Sequence, residues 1–303
     1  MPNLIMVMLP LNPQLAQVVH RLMPQSRLLR SWPLKGGVSA QVTALEIEQP
    51  DGQLCRLVIR QHGEADRQRN PQIAAHEFRL LQALRCAGLP VPTPYAFDES
   101  GTILPTPYVL VEFIDGAPEF APADPIACAR QLAEQLAQIH NLDLDQLDLS
   151  FLAQHPAMTT YPVSELLGDE RLRATLTAVW PLSPLNAPVL LHGDFWPGNV
   201  LWRDGQVAAV MDWEDAAVGD SLIDLANSRL EILWAFGVEA MKAFKQHYQT
   251  QRTLTNITQL PYWDLFAAQR SGAKLGGWRL DTATETRLRG QLHLFITQAL
   301  EML

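Results

Sequence analysis

Three polar residues, Asp194, Asn199 and Asp212, lie at the ends of short apolar segments. An apolar run leads into Asp194, a turn rich in Trp, Pro and Gly follows, and Asn199 opens a second apolar run. This order predicts a loop between two short strands that carries Asp194 and Asn199. Asp212 then closes a third apolar strand, so the sequence predicts a site built from two carboxylates and one carboxamide.

The oxygen atoms of these side chains are the kind of ligand that Mg²⁺ prefers. Mg²⁺ keeps several waters and is usually held by one or two side chains together with the phosphates of a substrate. The segment from Asp204 to Ser228 contains six acidic residues and no Lys or Arg. These carboxylates repel one another unless a cation is present or backbone N–H groups hold some of them. A loop of ordinary turn-forming residues is the alternative, which the fixed order and the flanking strands disfavour.

The order His-x-Asp-x4-Asn from His192 to Asn199, followed beyond a short strand by Asp212, resembles the catalytic and metal-binding loops of the aminoglycoside phosphotransferase and choline kinase-like family. Members of this family are small-molecule relatives of the protein kinases. The resemblance implies that Asp194 is the base that takes the proton of the acceptor hydroxyl. It also implies that Asn199 and Asp212 hold Mg²⁺ on the phosphates. His-Gly-Asp in place of His-Arg-Asp, and Asp-Trp-Glu in place of Asp-Phe-Gly, indicate the small-molecule branch.

A glycine pair interrupts two apolar segments in the stretch Leu34-Lys-Gly-Gly-Val-Ser-Ala40. Gly36 and Gly37 let the backbone approach a ligand, and the N–H groups of such a turn can bind phosphate oxygens. A plain Gly-Gly hairpin is the alternative. Because two strands, a helix and a metal loop follow, the stretch resembles the family's nucleotide-phosphate loop, and Gly36, Gly37 and Ser39 are the residues implied to bind nucleotide.

Two segments, Val38 to Ile47 and Gln53 to Arg60, have the pattern of a β-hairpin. Arg60 stands where protein kinases carry a phosphate-binding Lys, and its guanidinium can hold phosphate oxygens through two parallel hydrogen bonds. The apolar spacing from Pro71 to Gly88 predicts an amphipathic helix that contains Glu77. In the kinase arrangement this Glu pairs with the basic residue of the strand. Solvated side chains are the alternative for both residues.

The stretch from Leu89 to Pro107 is rich in turn residues and leads into an apolar strand that ends in Asp115-Gly116. By resemblance, this strand joins two lobes and binds the adenine edge through the Glu112 carbonyl and the Ile114 N–H. A buried strand followed by a turn is the plain interpretation, and the two interpretations are compatible. The resemblance implies a nucleotide-binding lobe over residues 1–113 and a catalytic and acceptor-binding lobe over residues 114–303.

Helices are predicted for most of the C-terminal half. The first runs from Asp124 to His140, and the segment from Asn141 to Pro188 has an irregular pattern. A second helix is predicted with Asp220 as its N-cap. Asp224 resembles the family residue that hydrogen-bonds the backbone of the catalytic loop. The remainder, Leu225 to Leu303, has the pattern of three or four helices.

Composition sets the broad class of protein. The chain has 303 residues, of which 48% are hydrophobic, and a formal net charge of −9. These values suit a folded protein of two lobes and disfavour nucleic acid or an anionic membrane as a partner. Three widely spaced cysteines form no Cys-x-x-Cys pair, and no apolar run approaches the roughly 18 residues that span a bilayer. We therefore expect a cytoplasmic protein with reduced thiols and a neutral or cationic acceptor.

The combined prediction is an α+β, two-lobed protein-kinase-like fold with a small β-rich N-terminal lobe and a larger, mainly helical C-terminal lobe. The implied activity transfers the γ-phosphate of ATP or GTP, with Mg²⁺, to a hydroxyl group of a small molecule. A nucleotide-binding pseudoenzyme is one alternative, which Arg60 favours and Asp194 disfavours. A protein kinase is another alternative, which is disfavoured because the sequence lacks the His-Arg-Asp and Asp-Phe-Gly signatures and has no Ala-Pro-Glu signature after Asp212. The acceptor stays open among amino sugar, choline-like alcohol, amino acid, sugar and nucleoside.

Overall fold

A computed structural model describes the chain over residues 12–34, 40–154, 170–253 and 255–303. The chain divides into two compact units, one ending at Asp115 and the other beginning at Gly116. This division falls near the lobe boundary predicted after residue 113. The nucleotide-binding and acceptor-binding roles assigned to the two lobes stay predictions.

The N-terminal unit is built on a five-stranded sheet. Its elements in chain order are α1 (Pro13–Leu22), β1 (Arg27–Pro33), β2 (Ala40–Glu48), β3 (Leu54–His62), α2 (Glu64–Arg69), α3 (Ile73–Cys86), β4 (Pro94–Asp98) and β5 (Tyr108–Glu112). The strands follow the order β1-β2-β3-β5-β4, and each neighbouring pair is antiparallel. The predicted hairpin of β2 and β3 is present, with Val42 opposite Arg60.

The helix α1 packs its apolar residues against this sheet. Asn12 caps the helix because its side-chain oxygen accepts hydrogen bonds from the N–H groups of Gln14 and Leu15. One apolar cluster joins the helix to β1, β2, β3 and β5 through Leu15, Val18, Val19, Leu28, Leu45, Ile47, Leu57, Ile59 and Leu110. A slip of one residue in a strand would turn its buried side chains to the other face, so this cluster holds the register of the strands.

The C-terminal unit is mainly helical. Its elements are α4 (Pro125–His140), β6 (Ala153–Gln154), α5 (Glu170–Val179), β7 (Val189–Leu191), β8 (Val200–Arg203), β9 (Gln206–Val210), β10 (Ala217–Gly219), α6 (Leu222–Phe236), α7 (Val238–Gln251), α8 (Leu260–Leu275) and α9 (Thr282–Glu301). Two small sheets have the orders β6-β10-β7 and β8-β9. The predicted α+β class, β-rich first and helical afterwards, is confirmed. Over the described ranges, no helix combines the length and the apolar character that a membrane crossing requires.

Several elements differ from the sequence prediction. β4 lies in the stretch predicted as turns, and α5 lies in the segment predicted as irregular. β4 is the edge strand of its sheet, begins at Pro94 and alternates between exposed and partly buried residues. The two end residues of β4, Pro94 and Asp98, are typical of turns, and Pro is tolerated at the start of an edge strand, so the strand lies unmarked in a stretch of turn residues.

The start of α6 corrects the prediction that Asp220 is its N-cap. The helix begins at Leu222 and Ser221 occupies the N-cap position, because the preceding residues Ala217–Gly219 pair with β7 as a strand. Asp220 still satisfies the helix end, since its Oδ1 accepts hydrogen bonds from Leu222 N at 3.0 Å and from Asn186 Nδ2 at 2.9 Å.

A buried ion pair joins α6 to α8. Arg229 Nη1 donates to Asp264 Oδ2, and both side chains are almost fully buried. The Arg229 guanidinium also lies over the ring of Phe295 in α9, with 5.3 Å between its carbon and the ring centroid. Burial raises the pKa of Asp264 to about 6, although the charge of Arg229 opposes that rise. Such a pair is stable only while each charge compensates the other.

We expect Arg229→Met to lower the free energy of unfolding by about 3–5 kcal/mol, because it leaves Asp264 buried without its partner. Urea denaturation of the whole chain measures the change. The double variant Arg229→Met/Asp264→Leu should recover much of the loss. As a control, Lys242→Met removes an exposed pair with Glu239 and should cost less than about 1 kcal/mol. Equal losses for the buried and the exposed pair would contradict the prediction.

Candidate active site

The loop between β7 and β8 carries Asp194 and Asn199, as the strand pattern predicted. β7 pairs with β10 whereas β8 pairs with β9, so the loop connects the two small sheets of the C-terminal unit. Its last residues, Pro197–Asn199, form one turn of 3₁₀ helix. Asp212 follows β9 with a φ of 63°, a left-handed conformation that is uncommon for a residue other than Gly.

Asn199 is bound directly to Asp194. Its Nδ2 donates to the backbone oxygen of Asp194 at 2.9 Å and to the carboxylate Oδ2 at 3.2 Å. The backbone oxygen of Asn199 accepts a hydrogen bond from Met211 N at 2.8 Å, one residue before Asp212. Because the amide nitrogen is used in this way, Asn199 Oδ1 is the atom suited to a metal ligand.

The carboxyl group of Asp194 has a raised pKa. Burial is the largest cause, because it disfavours the charged form. The positive charge of Arg270 and the His192 side chain oppose the rise, whereas the carboxylates of Asp215 and Asp212 add to it. The Asp194 side chain is 41% exposed, so solvent moderates the effect. A carboxylate with a raised pKa is a stronger proton acceptor than an ordinary one.

Asp224 of α6 holds the backbone just before Asp194. Its two carboxylate oxygens accept hydrogen bonds from His192 N at 2.7 Å and from Gly193 N at 3.0 Å. The His140 ring Nε2 lies 3.3 Å from the same carboxylate. Burial works to raise the pKa of Asp224, but the contacts with His140 and His192 outweigh it and lower the pKa. This is the backbone contact that the family resemblance implied.

The His192 ring joins the catalytic loop to the segment that carries Asp212. Its Nε2 lies 2.9 Å from the Met211 carbonyl oxygen, and its Nδ1 lies 3.3 Å from Asp194 N. Since a carbonyl only accepts and a backbone N–H only donates, this geometry indicates the tautomer with its proton on Nε2. The ring is fully buried, so it holds Asp194 and Asp212 on neighbouring backbone segments.

Gly193 explains why this loop has His-Gly-Asp where protein kinases have His-Arg-Asp. Its φ is 83°, and a Cβ atom at this position would lie 2.2 Å from the backbone oxygen of Asp215. A side chain would therefore meet two obstacles here, the left-handed backbone and the chain of the Asp-Trp-Glu-Asp segment.

Arg60 and Glu77 meet in the N-terminal unit. Arg60 Nη1 donates to Glu77 Oε1 at 3.0 Å, and both side chains are largely buried. The buried His62 places its Nε2 3.1 Å from Glu77 Oε2. Burial works to raise the pKa of Glu77, but the Arg60 charge and the His62 contact outweigh it and hold the pKa at about 2. Glu77 is therefore ionised at neutral pH and orients Arg60, whose role towards nucleotide stays a prediction.

The other predicted nucleotide-binding residues have less distinctive surroundings. Glu112 ends β5, and its Oε2 accepts hydrogen bonds from Thr93 N at 3.1 Å and from Thr93 Oγ1 at 2.7 Å. Ile114 lies in the connection after that strand. Residues 36, 37 and 39 of the predicted phosphate loop lie outside the described residues, so Gly36, Gly37 and Ser39 stay predictions.

Sequence reasoning missed two residues, one beside Glu77 in the N-terminal unit and one beside the loop that carries Asp194. His62 had a detectable signal, because it follows Arg60 by two residues and so lies on the same face of β3. Arg270 had none, since it lies in α8, well after the catalytic loop in sequence. Its Nη2 donates to the Gly193 carbonyl oxygen at 3.0 Å and lies 3.7 Å from Asp194 Oδ1.

The donor chemistry of the predicted metal ligands fits Mg²⁺. In the part of the chain that the structure describes, no group of three or more His, Cys, Asp or Glu residues is arranged to hold a metal ion. The predicted pair, Asn199 and Asp212, contains one carboxylate and one carboxamide. Mg²⁺ is commonly held by only one or two carboxylates, because phosphate oxygens and waters complete its shell.

Comparison with known families identifies the group to which this site belongs. The model of the family described as "Phosphotransferase enzyme family" matches residues 32–260. The chain belongs to the phosphotransferase enzyme family. The family predicted from the catalytic-loop residues is thus confirmed, and a phosphotransferase is the class of enzyme that this family contains.

Two curated relatives show how the match is distributed. The chain is 25% identical over 244 residues to acyl-CoA dehydrogenase family member 10 of Mus musculus, covering 74% of the chain but 22% of that protein. It is 31% identical over 223 residues to homoserine kinase of Polaromonas naphthalenivorans, covering 64% of the chain and 66% of that protein. The chain spans about a quarter of the length of the first curated relatives it matches.

A solved structure of the phosphotransferase type has the same fold. It is a thermostable mutant of the aminoglycoside phosphotransferase APH(4)-Ia, in a ternary complex with AMP-PNP and hygromycin B. The TM-score is 0.62 at 16% identity, and the match covers 94% of this chain and 98% of that one. The predicted kinase-like fold of the aminoglycoside phosphotransferases is therefore confirmed.

We expect Gly193→Ala to destabilise this phosphotransferase-family chain more than Gly205→Ala does. Both glycines have a positive φ, so both variants carry backbone strain of about 1–3 kcal/mol. Only at Gly193 does a Cβ also collide with the backbone at Asp215, whereas a Cβ at Gly205 meets nothing within 4 Å. Urea denaturation of both variants gives the two free energies of unfolding. A cost for Gly193→Ala no greater than that for Gly205→Ala would contradict the prediction.

Proposed function

We propose that this protein transfers the γ-phosphate of ATP to a hydroxyl group of a small molecule, with Asp194 as the base and Mg²⁺ as the metal. The observation that carries the proposal is the bonded arrangement of the catalytic loop. Asn199 binds the carboxylate of Asp194, and Asp224 holds the backbone just before it. Such a loop positions a proton acceptor and an oxygen ligand for metal in one short segment.

The proposed chemistry depends on position and charge. The acceptor hydroxyl gives its proton to the Asp194 carboxylate as its oxygen forms a bond to the γ-phosphorus. The bond from that phosphorus to the bridging oxygen of ADP breaks, and no covalent enzyme intermediate forms. The raised pKa of Asp194 suits a group that must accept a proton near neutral pH. The fixed backbone at Gly193 keeps the carboxylate in place during this step.

Asn199 and Asp212 are the proposed metal ligands. Asn199 Oδ1 and the Asp212 carboxylate supply hard oxygens to Mg²⁺, which when bound neutralises charge on the phosphates. The left-handed backbone of Asp212 supports this role, because unusual backbone conformations cluster at functional sites. The hydrogen bonds from Met211 N to Asn199 O and from His192 Nε2 to Met211 O hold Asp212 beside the loop.

Arg60 is proposed to bind nucleotide phosphate, with Glu77 as the residue that orients it. The pair is bonded and largely buried, unlike the solvated side chains that were the alternative. Gly36, Gly37, Ser39 and the backbone of residues 112 and 114 complete the proposed nucleotide site. ATP is favoured as the donor because the similar solved structure is a complex with the ATP analogue AMP-PNP, and GTP is tested beside it.

The acceptor is proposed to be a small hydroxyl compound. The homoserine kinase relative supports an amino acid alcohol, and the hygromycin B complex of the solved neighbour supports a sugar. The second candidate function, a pseudoenzyme that binds nucleotide without transfer, rested on Arg60 in place of Lys. The Arg60–Glu77 bond weakens that argument, because Arg60 makes the contact that the Lys of a kinase makes.

We expect Asp194→Asn to keep nucleotide binding and to lose transfer. Mg·ATP should raise the melting temperature of both wild type and variant, because a ligand selective for the folded state stabilises it. Transfer should fall by about 10²–10⁴-fold, since the proton acceptor is gone. Release of ADP with a panel containing homoserine, choline and hygromycin B measures transfer.

Two further variants serve as controls for that measurement. Asp212→Ala should remove most of the thermal shift with Mg·ATP, because Mg²⁺ then loses the carboxylate that would hold it, and the triphosphate with it, on the protein. Asp204→Asn, in an exposed turn with a φ of 53°, should behave as wild type. Absence of any shift in wild type with either ATP or GTP at millimolar concentration would sink the proposal.

We expect Arg60→Met to weaken Mg·ATP binding or to slow turnover, because the phosphates lose a charged partner and Glu77 loses its strongest compensation. Arg60→Lys should recover part of the loss, since Lys supplies charge without the planar fork. Titration of nucleotide against each variant measures affinity. Arg30→Met, which removes an exposed pair with Glu46 on the same sheet, is the matched control. Unchanged affinity and turnover in Arg60→Met would remove Arg60 from the site.

A further inference from the structure

Helix α8 brings a positively charged residue, Arg270, to the loop that carries Asp194. The proposed phosphoryl transfer gives this residue no role. Arg270 donates to the Gly193 carbonyl oxygen at 3.0 Å, and its Nη2 is 3.7 Å from Asp194 Oδ1. Lys274 lies one turn later on the same helix. The distance to Asp194 is too long for a hydrogen bond, so Arg270 and the proposed base are neighbours without being directly bonded.

The guanidinium of Arg270 has donors to spare. It carries five N–H donors, and among the described residues its one hydrogen bond is the bond to Gly193. The side chain is 20% exposed, so it is mostly withdrawn from water while part of it stays open to a ligand. A partly buried guanidinium is the protein group best suited to bind a carboxylate through two parallel hydrogen bonds.

Helix α6, whose Asp224 carboxylate is bonded to this loop, carries two further polar side chains nearby in sequence, Glu231 and Asn227. Burial raises the pKa of Glu231 to about 8, the charge of Asp194 adds to the rise, and Arg270 and Lys274 oppose it. Glu231 is therefore mostly uncharged at neutral pH and can donate a hydrogen bond. Asn227, one turn earlier, is buried, and its Nδ2 has no hydrogen-bond partner among the described residues.

Asn227 and Glu231 share one face of α6 with Asp224, the residue that holds the backbone of the loop. Asn227 follows Asp224 by three residues and precedes Glu231 by four, and residues at such spacings are neighbours on a helix surface. Asp224 bonds the loop at Gly193, and Glu231 interacts with Asp194. The surroundings of Asp194 thus contain the carboxylates of Asp212 and Asp215 together with the guanidinium of Arg270. The spare donors of Arg270 are the group there that can bind an anionic ligand.

We propose that Arg270 binds a carboxylate of the acceptor, so that the acceptor is a short hydroxy acid whose hydroxyl lies at Asp194. This inference rests on the proposed phosphotransferase function and names its acceptor class. The carboxylate takes the spare donors of Arg270 and takes no part in the reaction. The hydroxyl oxygen forms the bond to the γ-phosphorus, its proton goes to Asp194, and ADP leaves.

The proposal departs from the neutral or cationic acceptor that the overall charge of −9 favours. Charges more than about 8 Å apart are largely screened at physiological ionic strength. A ligand that binds beside Asp194 therefore responds to the charges next to that residue, Arg270 among them, rather than to the sum over the chain.

Matched pairs of acceptors test the proposal. Each pair contains a hydroxy acid and the compound in which a CH₂OH group replaces its carboxylate. The pairs are 3-hydroxybutyrate with 1,3-butanediol, 4-hydroxybutyrate with 1,4-butanediol, and homoserine with homoserinol. Wild type should use at least one acid more efficiently than its paired alcohol. Arg270→Gln should raise KM for that acid about ten- to a hundredfold, the loss expected for a hydrogen-bonded charge pair, and leave KM for the alcohol unchanged. Arg270→Lys should recover part of the loss.

The comparison of acid with alcohol separates carboxylate binding from a structural role of Arg270. Loss of the bond to Gly193 alone would disturb Asp194 and lower kcat for both members of a pair equally. Arg289→Gln, which removes an exposed pair with Glu285 on α9, is the matched control and should leave both values unchanged. Equal kcat/KM for acid and alcohol in wild type, or equal losses in Arg270→Gln, would overturn the proposal.

A binding measurement keeps this test independent of turnover. The same acids, added at millimolar concentration with Mg·ADP, should raise the melting temperature of wild type and not that of Arg270→Gln, whereas the alcohols should act equally on both. If no nucleotide binds and no acceptor is phosphorylated, the proposed function fails. The change in melting temperature that the acids cause in wild type and in Arg270→Gln still decides whether Arg270 binds a carboxylate. If Mg·ADP stabilises the protein and none of the acids adds to the shift, the carboxylate proposal fails by itself.

Discussion

The carboxylate of Asp224 is the contact on which the catalytic loop depends. It accepts hydrogen bonds from the backbone of His192 and of Gly193, and it is buried beside His140. His140 in turn contacts the hydroxyl of Tyr248 at 2.7 Å, so α4, α6 and α7 meet at one buried polar network. Backbone N–H groups without partners would cost about 1–3 kcal/mol each inside the protein. The loop is therefore held in the conformation that lets both N–H groups reach Asp224.

Buried carboxylates also orient the basic residues of this protein. Glu77 holds Arg60 in the N-terminal unit, and Asp264 holds Arg229 in the C-terminal unit. The two pairs differ in their second partner, because His62 adds to the compensation of Glu77 and the ring of Phe295 covers Arg229. The pKa of Glu77 falls to about 2 whereas that of Asp264 rises to about 6. Burial acts on both, and the contacts of Glu77 with Arg60 and His62 outweigh it, whereas the charges of Arg229 and Lys245 at Asp264 do not.

The surroundings of Asp194 connect the proposed reaction to the proposed acceptor. Asn199 and Asp212 are the proposed metal ligands, and Arg270 reaches the same loop from α8. Glu231 stays mostly uncharged because burial and the charge of Asp194 both disfavour its ionised form. The carboxylates of Asp212 and Asp215 and the guanidinium of Arg270 all act on Asp194, which suits the proposed binding of a phosphate–metal complex and of a carboxylate-bearing alcohol at this residue. Under this proposal, the charges next to Asp194 decide the acceptor rather than the net charge of the chain.

The sequence by itself determined the family, the α+β class and the loop that carries Asp194 and Asn199, because local order and strand-end position encode these features. It missed β4, whose edge position lets it tolerate the residues of a turn, and it placed the cap of α6 one residue early. Only the tertiary structure decided that His62 joins Glu77 and that Arg270 reaches Gly193. The physical reason is that such contacts form between side chains on separate elements, and neither apolar period nor spacing along the chain records which elements pack together.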